Sequence, residues 1–323
     1  MNAPWWRELN RYHWYVLVIS ALGWLFDTMD QQLFVLARQA SIKDVMRAEL
    51  DLPVTEQRDG RIVARAPTAV EREQRATSYG GYATAIFLTG WATGGLVFGM
   101  FGDRWGRVRT MMLTILMYSV CTGLSAISVG WWDYTIYRFL TGMGVGGEFA
   151  AGVALVAEVM PASARPYALG LLQALSTVGN MMAALITRFV PPGVEYFRWG
   201  EGTDAMPILG WRIVFLIGIL PSLLLIFARS RLREPEKWQA VKAGNAQSRS
   251  GAAAGGTDAS RSLGDLRELL TVPTYRFHAL VGVLLALSGV MMLWGAGFFT
   301  PELIRNHLGI SDPAEQDRYA SMG

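Results

Sequence analysis

Apolar and polar residues alternate along this chain in long blocks rather than at single positions. A helix needs about 20 consecutive apolar residues to cross the hydrocarbon core of a bilayer. The blocks that are long enough cover residues 14–37, 78–101, 110–132, 134–157, 167–187, 207–228 and 279–301. The pattern therefore predicts an all-α membrane protein, in which a six-helix transmembrane bundle is followed by a seventh transmembrane helix.

The polar blocks between these helices predict the domain organisation. The six-helix bundle covers residues 1–230 and includes a long external loop at 38–77. A cytoplasmic linker follows at 231–276, and its Gly-, Ala- and Ser-rich part is typical of a flexible chain. Within this linker, a short helix at 263–270 is predicted to lie on the membrane surface. Residues 277–323 then hold the seventh helix, as the first helix of an incomplete C-terminal bundle.

The composition excludes several classes of protein. Only 17% of the 323 residues are charged, whereas soluble domains have about 25%. The single cysteine, Cys121, excludes an intramolecular disulfide framework. The net charge is +3, and the basic residues flank apolar blocks. We therefore expect these basic residues to lie beside a lipid bilayer, and we expect no nucleic acid as a partner.

The distribution of basic residues predicts the orientation in the membrane. Arg104, Arg107 and Arg109 lie between the second and third predicted helices, and five more basic residues follow the sixth. Basic loops stay in the cytoplasm, which predicts a cytoplasmic N-terminus in the inner membrane. The external loop contradicts this orientation, because it carries Arg38, Lys43, Arg47, Arg58, Arg61, Arg65, Arg72 and Arg75.

Two aspartates lie inside the first predicted helix. Asp27 and Asp30 are three residues apart and share one helix face. A charged carboxyl in hydrocarbon is costly, so it normally faces a cavity or a partner. A carboxyl that gains and loses a proton at this depth suits a proton carrier. The alternative is that one aspartate pairs with a basic group and only holds helices together.

The fourth predicted helix carries two further charges, Arg138 and Glu148. They are about 15 Å apart along the helix axis, so each needs a partner on another helix. Arg138 would neutralise an aspartate of the first helix or attract an anionic substrate. Gly142 and Gly146 follow Arg138 at intervals of four residues, and small residues at this spacing predict close helix packing.

A polar stripe marks the fifth predicted helix. Gln173, Ser176, Thr177 and Asn180 lie on one face of a helix that is otherwise apolar. Such a stripe either bonds neighbouring helices or lines a wet cavity. Gln173 and Asn180 are the candidates for contact with a substrate.

Charged groups at three cytoplasmic helix ends predict a gate that latches the helices in one conformation and releases them in another. Two glycines allow a tight turn in the first group, and acids beside arginines form charge-assisted hydrogen bonds. The predicted gate residues are Gly102, Asp103, Arg104, Gly106, Arg107, Glu158, Arg165 and Glu234.

These motifs resemble those of the major facilitator superfamily of secondary transporters. The segment Gly102 to Arg109 is similar to the superfamily signature Gly-x-x-x-Asp/Arg-x-Gly-Arg, which is cytoplasmic in the family and so favours the orientation above. Further motifs follow in the family's order, namely Arg138 with Gly142 and Gly146, Glu158 with Pro161 and Arg165, and a shifted Glu-Ser-Pro-x-Trp element at 234–238.

Within the superfamily, the metabolite:proton symporter branch is the best match. Asp27 and Asp30 match the Asp-x-x-Asp of aromatic-acid:proton symporters, and Gln173 lies where sugar porters place a sugar-binding glutamine. The chain departs from the family in its long external loop and in having Pro166 after Arg165, where the family has glycine. The resemblance implies a proton and a small-molecule substrate as partners.

The resemblance also implies a second six-helix bundle, of which only one helix follows the linker. We expect a fragment, a truncated gene, or pairing with another chain. The predicted function is proton-coupled symport of a small organic acid or sugar by alternating access. The alternative is a truncated membrane protein that transports nothing and is a sensor, a partner subunit or a pseudogene product. An intramembrane enzyme fits poorly, and no cofactor or metal is expected, because His13, His278 and His307 are scattered.

Overall fold

Long helices carry most of the chain in the computed structural model, which describes residues 4–58, 61–199, 206–220, 232–249 and 271–308. The longest ones are α1 (Arg11–Val45), α3 (Ala69–Trp105), α4 (Arg107–Ser125), α5 (Trp131–Val159), α6 (Arg165–Phe189) and α9 (Pro273–Leu308). Shorter ones are a 3-10 turn (Trp5–Glu8), α2 (Arg47–Leu50), α7 (Gly210–Ile217) and α8 (Glu236–Arg249). The predicted all-α membrane class is confirmed.

Local sequence signals fix where several helices begin. At the start of α3, the Thr68 hydroxyl accepts from the Glu71 amide, while the Glu71 carboxylate accepts from the Thr68 amide. At the start of α5, Asp133 accepts from the amide of Gly130. These capping bonds satisfy amides that have no partner inside the helix.

Glycines bring α3 and α5 into backbone contact at the centre of the bundle. A Cβ atom on Gly142 would lie 2.1 Å from the Phe87 carbonyl oxygen, and one on Gly146 would lie 2.0 Å from the Trp91 carbonyl oxygen. From the other side, a Cβ on Gly94 would lie 2.0 Å from the Met143 carbonyl oxygen. The predicted packing role of Gly142 and Gly146 is confirmed.

Four of the predicted spans are confirmed by length and composition among the described residues, namely α3, α4, α5 and α6. The first span forms α1. It is not among the four, because Asp27 and Asp30 lower the mean hydropathy of its apolar block, and its crossing of a membrane remains a prediction. Helix α7 begins the sixth span, and the rest of that span after residue 220 lies outside the described residues. The seventh forms α9, and its crossing of a membrane remains a prediction. The predicted surface helix at 263–270 lies outside the described residues.

The loop between α1 and α3, which is predicted to be external, is shorter than predicted and contains a β-hairpin, which the all-α prediction missed. Helices α1 and α3 extend into it, so only residues 46–68 connect them. Strands β1 (Val54–Arg58) and β2 (Arg61–Arg65) pair antiparallel, with Val54 opposite Arg65. A second antiparallel hairpin, β3 (Glu195–Trp199) and β4 (Met206–Leu209), follows α6.

An ion pair ties the first hairpin to α3. Arg65 donates to both carboxylate oxygens of Glu71, at 2.6 and 2.7 Å. These bonds hold the pKa of Glu71 at about 2. The carboxylate therefore stays ionised at any physiological pH, and the pair persists.

A buried ion pair joins α1 to α7. Asp44 accepts from Arg212 at 3.0 Å and from the indole of Trp211 at 3.2 Å. Arg212 also donates to the carbonyl oxygens of Ala126 and Ser128, after α4. The side chains of Arg212 and Asp44 are 5% and 6% exposed. These bonds therefore hold together the end of α1, the start of α7 and the segment after α4.

We predict that Asp44→Asn lowers the free energy of unfolding by about 3 kcal/mol, because it leaves the Arg212 guanidinium buried without a countercharge. Asp51→Asn is the matched control, since Asp51 pairs with Arg72 at the surface with about half of each side chain exposed, where the loss is below about 1 kcal/mol. Denaturant unfolding in detergent measures both. Equal losses in the two variants would contradict the role given to Asp44.

Candidate functional site

The four charges predicted within the membrane lie together in the interior of the bundle. Asp27 and Arg138 are 0% exposed, and Asp30 and Glu148 are 1% exposed. Helix α1 supplies the aspartates and α5 supplies the other two. Helix α5 contacts α1, α3, α4 and α6, so its inward face is shielded from lipid by protein on several sides.

Asp27, Glu148 and Tyr118 form the first of two polar groups, the carboxyl pair. The carboxyl groups of Asp27 and Glu148 interact with each other across α1 and α5, and the Tyr118 hydroxyl on α4 interacts with Asp27. Gly23 makes this approach possible, because a Cβ at that position would lie 2.4 Å from Glu148 Oε1. Glu148 therefore reaches α1 one turn before Asp27.

Asp30 and Arg138 form the second polar group. Asp30 accepts from the Thr122 hydroxyl at 3.0 Å. Arg138 donates to the Ser125 hydroxyl at 2.7 and 3.1 Å, and it acts electrostatically on Asp30 without a direct ion pair. The two polar groups thus share α1, α4 and α5 but use different partners.

Aromatic rings surround the Arg138 guanidinium. Its Cζ lies 4.6 Å from the centre of the Phe215 ring, 5.4 Å from Phe34 and 5.9 Å from Tyr134. One nitrogen, Nη1, makes no hydrogen bond within the described residues. A cation held by π faces with a free donor suits an anionic group.

Several buried polar atoms near the carboxyl pair make no hydrogen bond of good geometry within the described residues. They include both carboxylate oxygens of Asp27, Glu148 Oε1, the Tyr118 hydroxyl and the Trp24 indole nitrogen. Buried polar groups are normally satisfied, so unsatisfied ones in a cluster indicate a place for protons, water or a ligand. In the same described part of the chain, no group of His, Cys, Asp and Glu residues has the arrangement of a metal site.

The structure does not bring Gln173 and Asn180 to the buried charges. Both lie on α6, where Gln173 is exposed and Asn180 is half-buried. The Gln173 carbonyl oxygen accepts from the Ser176 hydroxyl. The buried residues of α6 that face α1 include Gly179 and Ala183, so its polar stripe is directed elsewhere.

The predicted gate residues meet around Arg107. Its guanidinium lies 2.6 Å from Asp103 and 2.9 Å from Glu158. These contacts join the end of α3, the start of α4 and the end of α5. Charge-assisted hydrogen bonds of this kind stabilise the contact between the three helix ends and also restrict their relative orientation.

Glu234 caps the start of α4 from a distant part of the chain. Its carboxylate accepts from the amides of Val108 and Arg109, both at 3.2 Å. Gly106, with a φ of 118°, leaves room for it, since a Cβ there would lie 2.3 Å from Glu234 Oε1. A negative charge at a helix N-terminus is stabilising. Next to it, Trp238 donates to the Asp103 carbonyl oxygen at 2.6 Å.

The remaining gate candidates take other positions. Gly102 is buried, and a Cβ there would lie 3.2 Å from Arg107 Nη1. Arg104 is exposed at the end of α3. Arg165 begins α6 and is half-buried, but within the described residues it joins no ion pair with Glu158 or Glu234. All three predicted charged groups therefore meet at the start of α4, through Asp103 and Arg107, Glu158, and Glu234.

Sequence reasoning missed the residues of α4 that complete the site. Tyr118, Thr122 and Ser125 contact Asp27, Asp30 and Arg138 respectively. Their spacing of four and three residues on one helix face was the signal. Arg38 was placed in the external loop, but it is buried in α1 and donates to Thr84 at 2.8 Å.

A family model described as sugar (and other) transporter matches residues 54–317. The chain belongs to this family. The family is part of the major facilitator superfamily, as the motifs predicted.

Curated relatives include several bacterial transporters. A Haemophilus influenzae protein named for metabolite transport is 35% identical over 230 residues, which cover 71% of this chain and 46% of that protein. The niacin transporter NiaP of Acinetobacter baylyi is 28% identical, covering 67% and 39%. The sialic acid transporter NanX of Escherichia coli is 28% identical, covering 74% and 48%. The chain therefore spans about half the length of the curated relatives it matches.

Among solved structures, a D-xylose-proton symporter has the same fold. The TM-score is 0.63 at 18% identity, and the match covers 96% of this chain and 65% of that one. At this identity the likeness establishes the fold alone.

We predict that Glu234→Ala lowers the free energy of unfolding by about 1 kcal/mol, because two amides at the start of α4 lose their acceptor. Glu236→Ala removes the same charge at an exposed position two residues later and serves as the control. The thermal unfolding midpoint in detergent should fall further for the first variant. An equal shift in both would contradict the capping role.

Proposed function

We propose that this family member works as a proton-coupled secondary transporter, a symporter that moves a small organic acid or sugar by alternating access. The buried group of Asp27, Asp30, Arg138 and Glu148 carries this proposal. Ionisable residues inside a membrane are costly and mark ion or substrate pathways. Here they lie on two helices of one bundle, α1 and α5, with unsatisfied polar atoms, which suits reversible binding.

An organic acid is the favoured substrate class. Relatives named for niacin, sialic acid, cis,cis-muconate and benzoate transport all act on carboxylates. Arg138 supports the same class, because its guanidinium has a free nitrogen and no direct carboxylate partner within the described residues. A guanidinium matches the geometry of a carboxylate.

We further propose that the substrate binds between this bundle and a second, C-terminal bundle, as in transporters built from repeats. Gln173 and Asn180 on α6 would then face the substrate, which fits their position on a polar face turned away from α1. The cluster of Asp103, Arg107, Glu158 and Glu234 would act as the gate, closing when its ion pairs form.

The orientation we propose has the N-terminus in the cytoplasm and the chain in the inner membrane. Arg104, Arg107 and Arg109 support it. The contrary basic residues weigh less than the sequence implied, because Arg38 and Lys43 lie within α1 and two others lie within α3. The inter-helix segment 46–68 retains only four.

The test is uptake of labelled niacin, sialic acid, benzoate and xylose by cells expressing the 323-residue chain, with and without an inward proton gradient. We predict that the gradient stimulates uptake of a carboxylate, and that Asp27→Asn and Asp30→Asn each abolish the stimulation. An amide at position 27 cannot carry a proton, and an amide at position 30 removes the carboxyl group that interacts with Arg138. Asp51→Asn, at an exposed ion pair, is the control and keeps it.

Two results would count against the proposal. Uptake by the unmodified chain that ignores the proton gradient would exclude coupling. Gradient-driven uptake at the original rate in both aspartate variants would remove these residues from the mechanism.

A further inference from the structure

We propose that Asp27 and Glu148 form a single proton relay between α1 and α5, and that the coupled proton passes through both carboxyl groups. This inference rests on the proposed function, since it assigns the proton to one of the two polar groups. Asp30 and Arg138 would then serve the substrate side of the site.

The contact between the two helices carries the relay. Glu148 Oε1 would be 2.4 Å from a Cβ on Gly23, and Gly23 lies one turn before Asp27 on the same face of α1. A Cβ on Gly152, one turn after Glu148, would lie 3.4 Å from the same oxygen. The contact at Gly152 is an ordinary one, so it is Gly23 that leaves space for this carboxyl group beside Asp27.

The charges around the pair are mostly negative. Glu148 and Tyr118 face Asp27 from α5 and α4, and Asp30 lies one turn further along α1. Within the described residues neither carboxyl of the pair joins an ion pair with a cation, and Arg138 acts on Asp30. Two carboxylates this close in a low dielectric do not both ionise, so the pair retains a proton between them.

The transfer itself balances without any other reactant. The pair has a charge of −1 with its one retained proton, and that proton moves when the O–H bond on one carboxyl breaks as an O–H bond forms on the other. The carboxylate freed in this way binds a proton from water on one side of the membrane, which brings the pair to a charge of zero. The other carboxyl then releases its proton to water on the opposite side, which returns the pair to −1. Both groups are needed, because an amide at either position cannot take up and pass on a proton.

Asp30 is less suited to this role. Its carboxylate accepts from the Thr122 hydroxyl at 3.0 Å and lies in the field of Arg138. A hydrogen bond and a nearby cation both favour the ionised form. Asp30 is as deeply buried as Asp27, but a cation acts on it directly, so we assign Asp30 to Arg138 and not to the relay.

The first experiment compares Glu148→Gln, Asp27→Asn and the double variant in two assays. We expect uptake driven by a proton gradient to fall at least about tenfold in each, with the double variant no worse than the singles, because residues that act as one unit are not additive. Substrate counterflow at equal pH should stay within about twofold of the unmodified chain, since exchange needs no net proton movement.

The second experiment changes the distance between the carboxyl groups of Asp27 and Glu148 and keeps both groups in place. Gly23→Ala places a methyl group against Glu148 and should lower gradient-driven uptake while counterflow persists. Gly170→Ala is the control, since a Cβ there meets nothing within 4 Å, and it should leave both assays unchanged.

The outcomes separate the two proposals. Gradient-driven uptake at the original rate in Glu148→Gln overturns the relay and leaves the proposed symport standing. Loss of counterflow together with uptake in Glu148→Gln also overturns it, because Glu148 would then be needed for the substrate. An unmodified chain that ignores the gradient overturns the symport itself.

Discussion

The cost of placing charge in hydrocarbon is the constraint on which this structure depends. Translocating a charged side chain to the centre of a bilayer costs several kcal/mol, and four such side chains occur within the bundle. Each must therefore face inward, which sets the rotation of α1 and α5 about their axes. Once Asp27 and Asp30 face the interior, α4 has to pack where its Tyr118 and Thr122 hydroxyls meet them.

Close packing is the second requirement, and glycine supplies it. Helices α3 and α5 touch through backbone at Gly94, Gly142 and Gly146, which leaves no lipid-sized gap beside the charges. Gly23 works differently, because it makes room for a carboxyl group and not for a backbone. Gly94, Gly142 and Gly146 thus bring α3 and α5 into contact, while Gly23 leaves space for the Glu148 carboxyl group.

Much of the fold and part of the site could be predicted from the sequence. A long apolar block predicts a membrane-spanning helix, because its length has to match the thickness of the bilayer. An isolated charge within such a block is then recognised as a candidate functional residue. The partner of Glu148 could not be predicted, because it depends on how α1 and α5 rotate against each other. Asp44 falls in the predicted loop, because charged and polar residues interrupt the apolar block after residue 37, although the buried Ile42 and Val45 continue the helix. The first hairpin was also missed, although Asp59 and Gly60 form a dipeptide that favours tight hairpin turns.

Ion pairs at both ends of the bundle bear on how a relay inside it would work. Asp44 and Arg212 pin α1 to α7 and to the segment after α4 at one end, and Arg107 joins α3, α4 and α5 at the other. The Asp44 pair lies at the end opposite the proposed gate and stays formed when the gate opens, so we expect α1 to keep its place in the bundle and Asp27 to stay in contact with Glu148 throughout the transport cycle. What changes is then the access of each carboxyl group to water. Coupling would arise because rocking of the bundle exposes the pair to one side at a time, and the distance between the two carboxyl groups need not change.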